Sequence, residues 1–224
     1  MADSVPVITI DGPSGTGKGT IAHLLAQRLG WHVLDSGALY RLVALGAEHR
    51  QVPLAHVRVL AQLALDLDVV FSPDNAESVL LDGLDIGAQL RLESTGEKAS
   101  LVAAIPEVRE ALLARQKAFR QPPGLVADGR DMGTVVFPDA ALKIFLTASA
   151  EERAQRRYKQ LKNKGVYDSL PSLLRDIEIR DQRDANRSVS PLIPAQDAKV
   201  IETTTLSIDQ VLQIVLDHVK EIFP

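Results

Sequence analysis

The sequence predicts an α/β fold in which helices cover both faces of a parallel β-sheet. Two observations support this prediction: short apolar runs of strand length recur along the chain, and segments with the apolar spacing of helices separate them. The predicted strands span residues 5–10, 32–35, 124–128, 142–147 and 198–202. In such sheets ligands bind beyond the carboxyl ends of the strands, so a site is expected at that edge.

The first predicted strand leads directly into a glycine-rich segment, GPSGTGKGT. Gly12 is followed five and six residues later by Gly17 and Lys18, which is the spacing of a P-loop. Glycine reaches the backbone angles that turn N–H groups toward a phosphate, and the helix predicted from about residue 20 directs its positive end to the same place. The predicted nucleotide-binding residues are Gly12, Pro13, Ser14, Gly15, Thr16, Gly17, Lys18, Gly19 and Thr20.

One position of this P-loop departs from the usual pattern. Most P-loops place Ser or Thr directly after the lysine as a magnesium ligand, whereas this chain has Gly19. The form GxxGxGKGT resembles the P-loops of nucleoside monophosphate kinases. It predicts that Mg²⁺ is held mainly through phosphates and water, with no metal site built from protein side chains.

Helical segments follow the strands. After the second strand a helix is predicted at 37–49. Another begins at Ser149, because a Glu three residues later completes a capping-box pattern, and it is predicted to end near residue 165. The last helix begins at Ser207, where a Gln three residues later completes the same pattern.

Two stretches interrupt this alternation. Residues 68–86 contain short β-like pieces separated by turn residues, which predicts a small antiparallel sheet. Residues 151–187 contain 10 of the 25 Lys and Arg residues, which predicts a polar helical lid; a solvated surface helix is the alternative. The predicted organisation is a single domain with a core of 1–66, 101–150 and 188–224, a nucleotide-binding insert at 67–100 and the lid at 151–187.

The composition is that of one globular domain, with 46% hydrophobic and 24% charged residues among 224. The net charge of −4 gives no sign of general affinity for nucleic acids or membranes, and the lack of cysteine excludes disulfides and thiolate metal sites. The sequence has neither a signal-peptide pattern nor a window of ~20 apolar residues. We therefore expect a cytoplasmic protein, and we expect a monomer without nucleic-acid or membrane partners.

Three polar clusters accompany these elements. They carry Ser36, Tyr40 and Arg41; Asp128, Arg130 and Asp131; and Arg180, Asp184 and Arg187. The last cluster is spaced for one helical face, and a salt-bridged surface helix would also explain it. Because phosphoryl transfer needs positioned cations around spreading negative charge, the clusters together favour a kinase. The predicted catalytic residues are Lys18, Arg130, Arg157, Arg180 and Arg187.

The chain resembles a known protein family almost from end to end. Five segments carry this resemblance: IDGPSGTGKGT, LDSGALYR, ADGRDMGTVVFPDA, RDQRDANR and SPLIPAQDA. The chain is similar to the bacterial cytidylate kinases, within the nucleoside monophosphate kinase superfamily. The resemblance implies a P-loop NTPase-type fold with five parallel strands, and magnesium-assisted transfer of a phosphoryl group from ATP to CMP or dCMP.

The resemblance also implies roles for single residues. Those that would face the cytosine base are Ser100, Arg109 and Asp131. Those that would hold the acceptor phosphate are Arg41, Arg130 and Arg187, with Ser36 assisting and Asp128 in the same loop as Arg130. Those that would lie by the sugar are Asp184, Tyr40 and Arg180. Those that would bind ATP are Lys18, Arg153 and Arg157.

The chain departs from the family pattern at residues 91–95, which read RLEST where relatives often read RTxEV. Leu92 removes a hydroxyl and Thr95 removes an apolar contact. This difference predicts weaker rejection of UMP.

Two alternative functions remain open at this stage. One is a P-loop kinase for another acceptor, such as UMP, AMP, dTMP or a small alcohol. The other is a nucleotide-dependent switch that hydrolyses ATP slowly.

Overall fold

The computed structural model describes residues 5–71, 79–163 and 168–223. The chain divides into two compact units. One is formed by Met1–Asp35 with Lys117–Pro224, and we call it the P-loop unit. The other is formed by Ser36–Gln116, and we call it the helical unit.

The elements of both units are numbered together along the chain. The strands are β1 (Val7–Asp11), β2 (His32–Asp35), β3 (Val69–Phe71), β4 (Val79–Leu81), β5 (Leu84–Asp85), β6 (Leu125–Gly129), β7 (Leu142–Thr147) and β8 (Lys199–Glu202). The helices are α1 (Lys18–Leu29), α2 (Ser36–His49), α3 (Val57–Leu65), α4 (Gly87–Leu90), α5 (Glu93–Val102), α6 (Pro106–Lys117), α7 (Ala150–Asn163), α8 (Leu170–Ala185) and α9 (Ile208–Ile222). One π-helical turn spans Met132–Val136.

The P-loop unit contains a five-stranded parallel sheet with the strand order β2-β6-β1-β7-β8. In the register of the central strand, Ile8 lies opposite Val126 on β6 and opposite Leu142 on β7. All five residues of β1 are buried, which is why this strand reads as a continuous apolar run. The predicted α/β fold with a parallel sheet is confirmed, and every predicted strand is present within one or two residues.

The core of this unit lies between the sheet and helices α1 and α9. Its buried side chains include Ile8, Ile10, Ile21, Leu25, Val126, Ile144, Leu146, Val211, Val215 and Val219. Apolar residues at helical spacing on α9 supply the last three of these. The sheet thereby holds the segment after β1 against a rigid apolar layer.

The helix starts agree with the capping patterns. Ser207 accepts a hydrogen bond from the Gln210 N–H at 3.2 Å, and the Gln210 side chain accepts one from the Ser207 N–H at 2.9 Å. Ser149 accepts a hydrogen bond from the Glu152 N–H at 3.2 Å at the start of α7. The end predicted near residue 165 lies outside the described residues. Helix α1 begins at Lys18, two residues earlier than predicted.

The helical unit contains the predicted small antiparallel sheet, in the order β3-β4-β5. Val69 pairs with Leu81, and Leu81 pairs with Leu84. The turn predicted at 73–75 lies outside the described residues. Helices α3, α4 and α5 pack against α2, whose apolar face is buried. In the part of the chain that the structure describes, no helix has the length and apolarity needed to cross a membrane.

Candidate active site

The loop between β1 and α1 has the conformation of a phosphate cradle. Gly12, Gly15 and Gly17 have φ angles of 149°, 83° and 90°, which residues with side chains rarely adopt. A Cβ at Gly12 would lie 2.2 Å from the Leu146 carbonyl oxygen, so the loop passes directly over β7. The buried Lys18 side chain crosses the loop, where Nζ donates to the Pro13 carbonyl at 3.1 Å.

Lys18 and Asp128 are both buried beside this loop, and the charge of each affects the pKa of the other. Burial lowers the pKa of Lys18, and the positive charge of Arg130 lowers it further. Burial raises the pKa of Asp128, while the Lys18 charge opposes that rise. A phosphate bound next to Lys18 would favour the charged ammonium, because an anion replaces the lost solvation.

The Asp128 side chain lies close to Gly19, the residue that follows the lysine of the P-loop. A Cβ at Gly19 would lie 3.1 Å from Oδ2 of Asp128. Asp128 Oδ1 is buried and has no hydrogen-bond partner within residues 5–71, 79–163 and 168–223. The carboxylate thus occupies the side of position 19 and retains an oxygen that can accept a hydrogen bond from a ligand or its water.

The segment that carries Arg130 and Asp131 is anchored by a buried carboxylate. Asp11 accepts a hydrogen bond from the Met132 N–H at 2.9 Å and another from the Gly133 N–H at 2.8 Å. Burial raises the pKa of Asp11 to about 7, although both N–H groups oppose the rise. Asp11 directly follows the strand predicted at 5–10, but no local pattern in the sequence indicates this anchoring role.

Asp184 brings together two of the predicted cationic residues. It accepts a hydrogen bond from Arg130 Nε at 2.9 Å, and it also pairs with Arg187. Asp184 is 1% exposed. Although burial by itself raises the pKa of Asp184, the neighbouring guanidinium groups lower it below its ordinary value. Arg180 lies one helical turn before Asp184 on α8 and adds to this positive charge.

The two arginines predicted for ATP lie on α7 and differ in their surroundings. Arg153 is buried and donates to the Ser14 carbonyl of the P-loop at 3.1 Å. Arg157 donates to Oε1 of Gln160 on the same helix at 3.3 Å. Their predicted contact with ATP stays a prediction.

The helical unit carries the other predicted residues, and two of them stack together. The Arg109 guanidinium lies 5.6 Å from the ring centre of Tyr40 and donates to the Ala103 carbonyl at 3.0 Å. Ser36 and Ser100 are buried, which is unusual for serine and requires polar partners. These contacts order part of the predicted acceptor set within this unit.

Arg41 is held by backbone carbonyl groups within and directly before residues 91–95, where the chain departs from the family pattern. Its Nη1 donates to the carbonyl oxygens of Leu90 and Leu92, both at 3.0 Å. The buried Thr95 hydroxyl donates to the Gln89 carbonyl at 2.8 Å. The Thr95 hydroxyl therefore has a partner inside the segment that orients Arg41, a role that the residue pattern alone did not indicate.

The chain matches a known protein family over most of its length. A sequence profile of the cytidylate kinase family matches residues 8–221. The chain belongs to the cytidylate kinase family. The predicted resemblance is therefore confirmed, and the protein is an enzyme of the kinase class, a phosphotransferase.

Relatives in this family match the chain over nearly its whole length. The cytidylate kinase of Aeromonas salmonicida is 57% identical and covers 99% of this chain and 96% of its own length. The cytidylate kinase of Pseudomonas entomophila is 59% identical and covers 95% of each. A solved structure of an uncharacterized protein from Eubacterium ventriosum shares the fold, with a TM-score of 0.51 and 11% sequence identity. The match covers 96% of this chain and 98% of the Eubacterium ventriosum chain.

Proposed function

We propose that the protein transfers the γ-phosphoryl group of ATP to CMP and dCMP, forming ADP with CDP or dCDP. The observation that carries this proposal is the arginine pair on Asp184, which lies in the same unit as the P-loop. A P-loop supplies a site for the donor phosphates, whereas two guanidinium groups held by one buried carboxylate suit a second, acceptor phosphate. The relatives' name, cytidylate kinase, supports cytidine nucleotides as the acceptors.

On the donor side, the backbone N–H groups of the P-loop and the start of α1 bind the β- and γ-phosphates. Lys18 supplies the cation for the outer phosphates, and Arg157 on α7 adds a second one. The start of α7 is fixed against the P-loop by Arg153, and the rest of the lid predicted at 151–187 closes over the phosphates. Closure of such a lid excludes water, which prevents simple hydrolysis of ATP.

Mg²⁺ neutralises charge on the β- and γ-phosphates when it is bound. The residues present fit an ion held through phosphates and water, because Gly19 offers no hydroxyl ligand. The buried and unpaired Oδ1 of Asp128 fits an acceptor for a water of the ion's hydration shell, in the part of the chain that the structure describes.

The transfer needs no general base from the protein. A phosphate monoester has a second pKa of about 6, so the acceptor oxygen is largely ionised near neutrality. This oxygen forms a bond to the γ-phosphorus while the bond from phosphorus to the β–γ bridging oxygen breaks, and the electron pair leaves with ADP. Arg130, Arg180 and Arg187 stabilise the charge that spreads over the transferred group.

For the base, we assign Asp131, Ser100 and Arg109 to the edge of cytosine. The amino group of cytosine donates a hydrogen bond, which a carboxylate or hydroxyl oxygen can accept, and its O2 and N3 accept bonds from a guanidinium. Uracil reverses the pattern at ring positions 3 and 4, so its binding would leave buried polar groups unpaired. Tyr40 and Asp184 are assigned to the sugar side.

A substrate panel tests the function directly. Release of ADP is measured by a coupled assay with CMP, dCMP, UMP, AMP and dTMP as acceptors, and we expect the highest kcat/KM values for CMP and dCMP. Preference for another acceptor would support the alternative nucleotide kinase. ATPase activity that is unchanged by every acceptor would support the nucleotide-dependent switch.

A further inference from the structure

Two arginines of α7 donate hydrogen bonds to the backbone of the P-loop. Arg153 Nη1 donates to the Ser14 carbonyl at 3.1 Å, and Arg156 Nη1 donates to the Thr16 carbonyl at 3.4 Å. A Cβ at Gly15 would lie 3.0 Å from Cβ of Arg153, so the loop and the helix are in close contact. The carbonyl groups of the loop therefore meet guanidinium groups on one side.

The Arg153 guanidinium is held in place by other protein groups. Its Nε donates to the Ala148 carbonyl at 3.0 Å, and its two Nη atoms pair with the Asp181 carboxylate at 3.1 and 2.5 Å. The residue is 4% exposed. Such a bidentate pair has a fixed geometry, so the guanidinium keeps its position against the loop.

Arg156 is held by a second set of groups. Its Nε donates to Glu152 at 3.0 Å, and its Nη2 donates to the Thr203 carbonyl at 2.6 Å. Its Nη1 lies 3.3 Å from the Thr203 hydroxyl, which donates to the Thr147 carbonyl at 3.0 Å. Thr203 is 1% exposed and follows directly after β8. The sheet thus supports Arg156 through Thr203.

The geometry of a peptide unit connects these contacts to phosphate binding. The N–H and C=O groups of a peptide point in opposite directions, so a hydrogen bond to the carbonyl fixes the direction of the N–H on the other side. A P-loop binds phosphate through its N–H groups. A cation that holds the carbonyl groups therefore fixes the donors that a phosphate needs.

We propose that Arg156, with Thr203, and Arg153, with Asp181, are positioning residues for the donor phosphates. They act on the peptide planes of the P-loop, and for Arg153 this role replaces the direct contact with ATP that the family resemblance implies. This inference deepens the donor half of the proposed function and rests on ATP as the ligand of the P-loop. It does not depend on which acceptor is phosphorylated. It assigns Arg156 a role that the sequence did not indicate.

Equilibrium binding of ATP in the absence of any acceptor tests the proposal. Thr203→Val removes the hydroxyl without changing charge or size, and we expect the Kd for ATP to rise by roughly tenfold. Thr203→Ser keeps the hydroxyl and should restore most of the affinity. A Kd for Thr203→Val equal to that of the wild type would overturn the proposal, even if the variant melts at a lower temperature.

A second pair of variants separates geometry from charge. Arg156→Lys keeps the positive charge but cannot reach all the acceptors of the guanidinium, so it should weaken ATP binding nearly as much as Arg156→Gln. Arg28→Gln, on the exposed end of α1, is the charge-matched control and should bind ATP as the wild type does. Full affinity in Arg156→Lys together with weak binding in Arg156→Gln would show that charge alone acts.

The acceptor parameters distinguish this proposal from the proposed function. In Thr203→Val, the KM for ATP should rise while the KM for the acceptor stays within about twofold of the wild-type value. Equal increases in both KM values would overturn the positioning role. If the wild type bound no ATP, the donor half of the proposed function would itself be wrong. If it bound ATP but preferred another acceptor, only the assignment of CMP would fail.

Discussion

Asp184 accepts a hydrogen bond from Nε of Arg130 at 2.9 Å, and the same buried carboxylate pairs with Arg187. Arg130 lies after β6 and Arg187 lies after α8, so one side chain joins two distant parts of the P-loop unit. Both arginines are proposed to hold the acceptor phosphate. Because like charges repel, the pair needs a negative group between its members when no phosphate is bound.

The first prediction concerns this carboxylate. In Asp184→Asn two guanidinium groups lose their shared counter-charge, so we expect unfolding free energy at pH 7 to fall by about 3–5 kcal/mol. The pKa of Asp184 is lower in the folded protein than its ordinary value of 3.8. The ionised Asp184 therefore stabilises the folded state above pH 3.8, and this stabilisation is lost as the pH falls below that value. Urea unfolding of variant and wild type at pH 7 and pH 3 measures both effects. Asp176→Asn, exposed on the same helix, should change neither.

The second prediction concerns Lys18. Lys18 is proposed to supply the cation for the outer phosphates, so in Lys18→Ala kcat should fall by about 100-fold or more. The coupled assay at saturating ATP and CMP measures this fall. Lys220→Ala removes the same charge from the exposed face of α9 and serves as the control. A kcat within a few-fold of the wild type would contradict the role of Lys18.

The third prediction concerns the choice of base. Asp131 is buried at the start of the π-helical turn. Asp131→Ala should lower kcat/KM for CMP much more than for UMP, because the lost carboxylate would accept a hydrogen bond from the cytosine amino group. The ratio of kcat/KM for the two acceptors is the measurement. A ratio equal to that of the wild type would assign base recognition elsewhere.

The fourth prediction concerns pH and Asp11. In the folded protein the pKa of Asp11 is raised to about 7 from an ordinary value of 3.8. Between pH 3.8 and pH 7, the folded state therefore keeps a proton on Asp11 that the unfolded state has lost. Stability contributed by Asp11 is therefore greatest below pH 4 and declines as the pH rises to about 7, by at most about 1.4 kcal/mol per pH unit. The difference in unfolding free energy between wild type and Asp11→Asn should show this slope. A difference that rises with pH would contradict it.

The fifth prediction concerns Thr95 and Arg41. Thr95→Val removes the hydrogen bond to the Gln89 carbonyl, which lies beside the two carbonyl groups that hold Arg41. We expect the KM for CMP to rise by roughly threefold to tenfold with little change in the KM for ATP. Thr95→Ser should behave as the wild type. Unchanged kinetics in Thr95→Val would show that the segment orients Arg41 without this hydroxyl.

Much of the fold could be predicted because its signals are local. The strands at 32–35 and 142–147 are predicted to the residue. Ser207 caps its helix as expected, because a capping box involves only neighbouring residues. The start of α1 was placed two residues late, since the left-handed Gly17 already serves as its N-cap.

The types of residue in the candidate site could be predicted from the sequence, but the contacts between those residues could not. Arginines at 130, 153 and 187 were singled out because cations suit phosphate, but their partners lie far away along the chain. Asp181 is 28 residues from Arg153, and Asp184 is 54 residues from Arg130. No local pattern indicates which carboxylate will meet which guanidinium.

The sequence by itself determined the ligand class and the family, because the P-loop, its glycines and Lys18 are contiguous and their spacing is chemically restrictive. The tertiary structure alone decided how these residues are oriented. It placed Asp128 beside Gly19 and brought Asp11 within hydrogen-bond distance of the Met132 N–H. It also placed Arg156 where it donates to the Thr16 carbonyl of the P-loop. The physical reason is that hydrogen bonds between distant residues depend on strand order and helix packing, which a linear pattern does not contain.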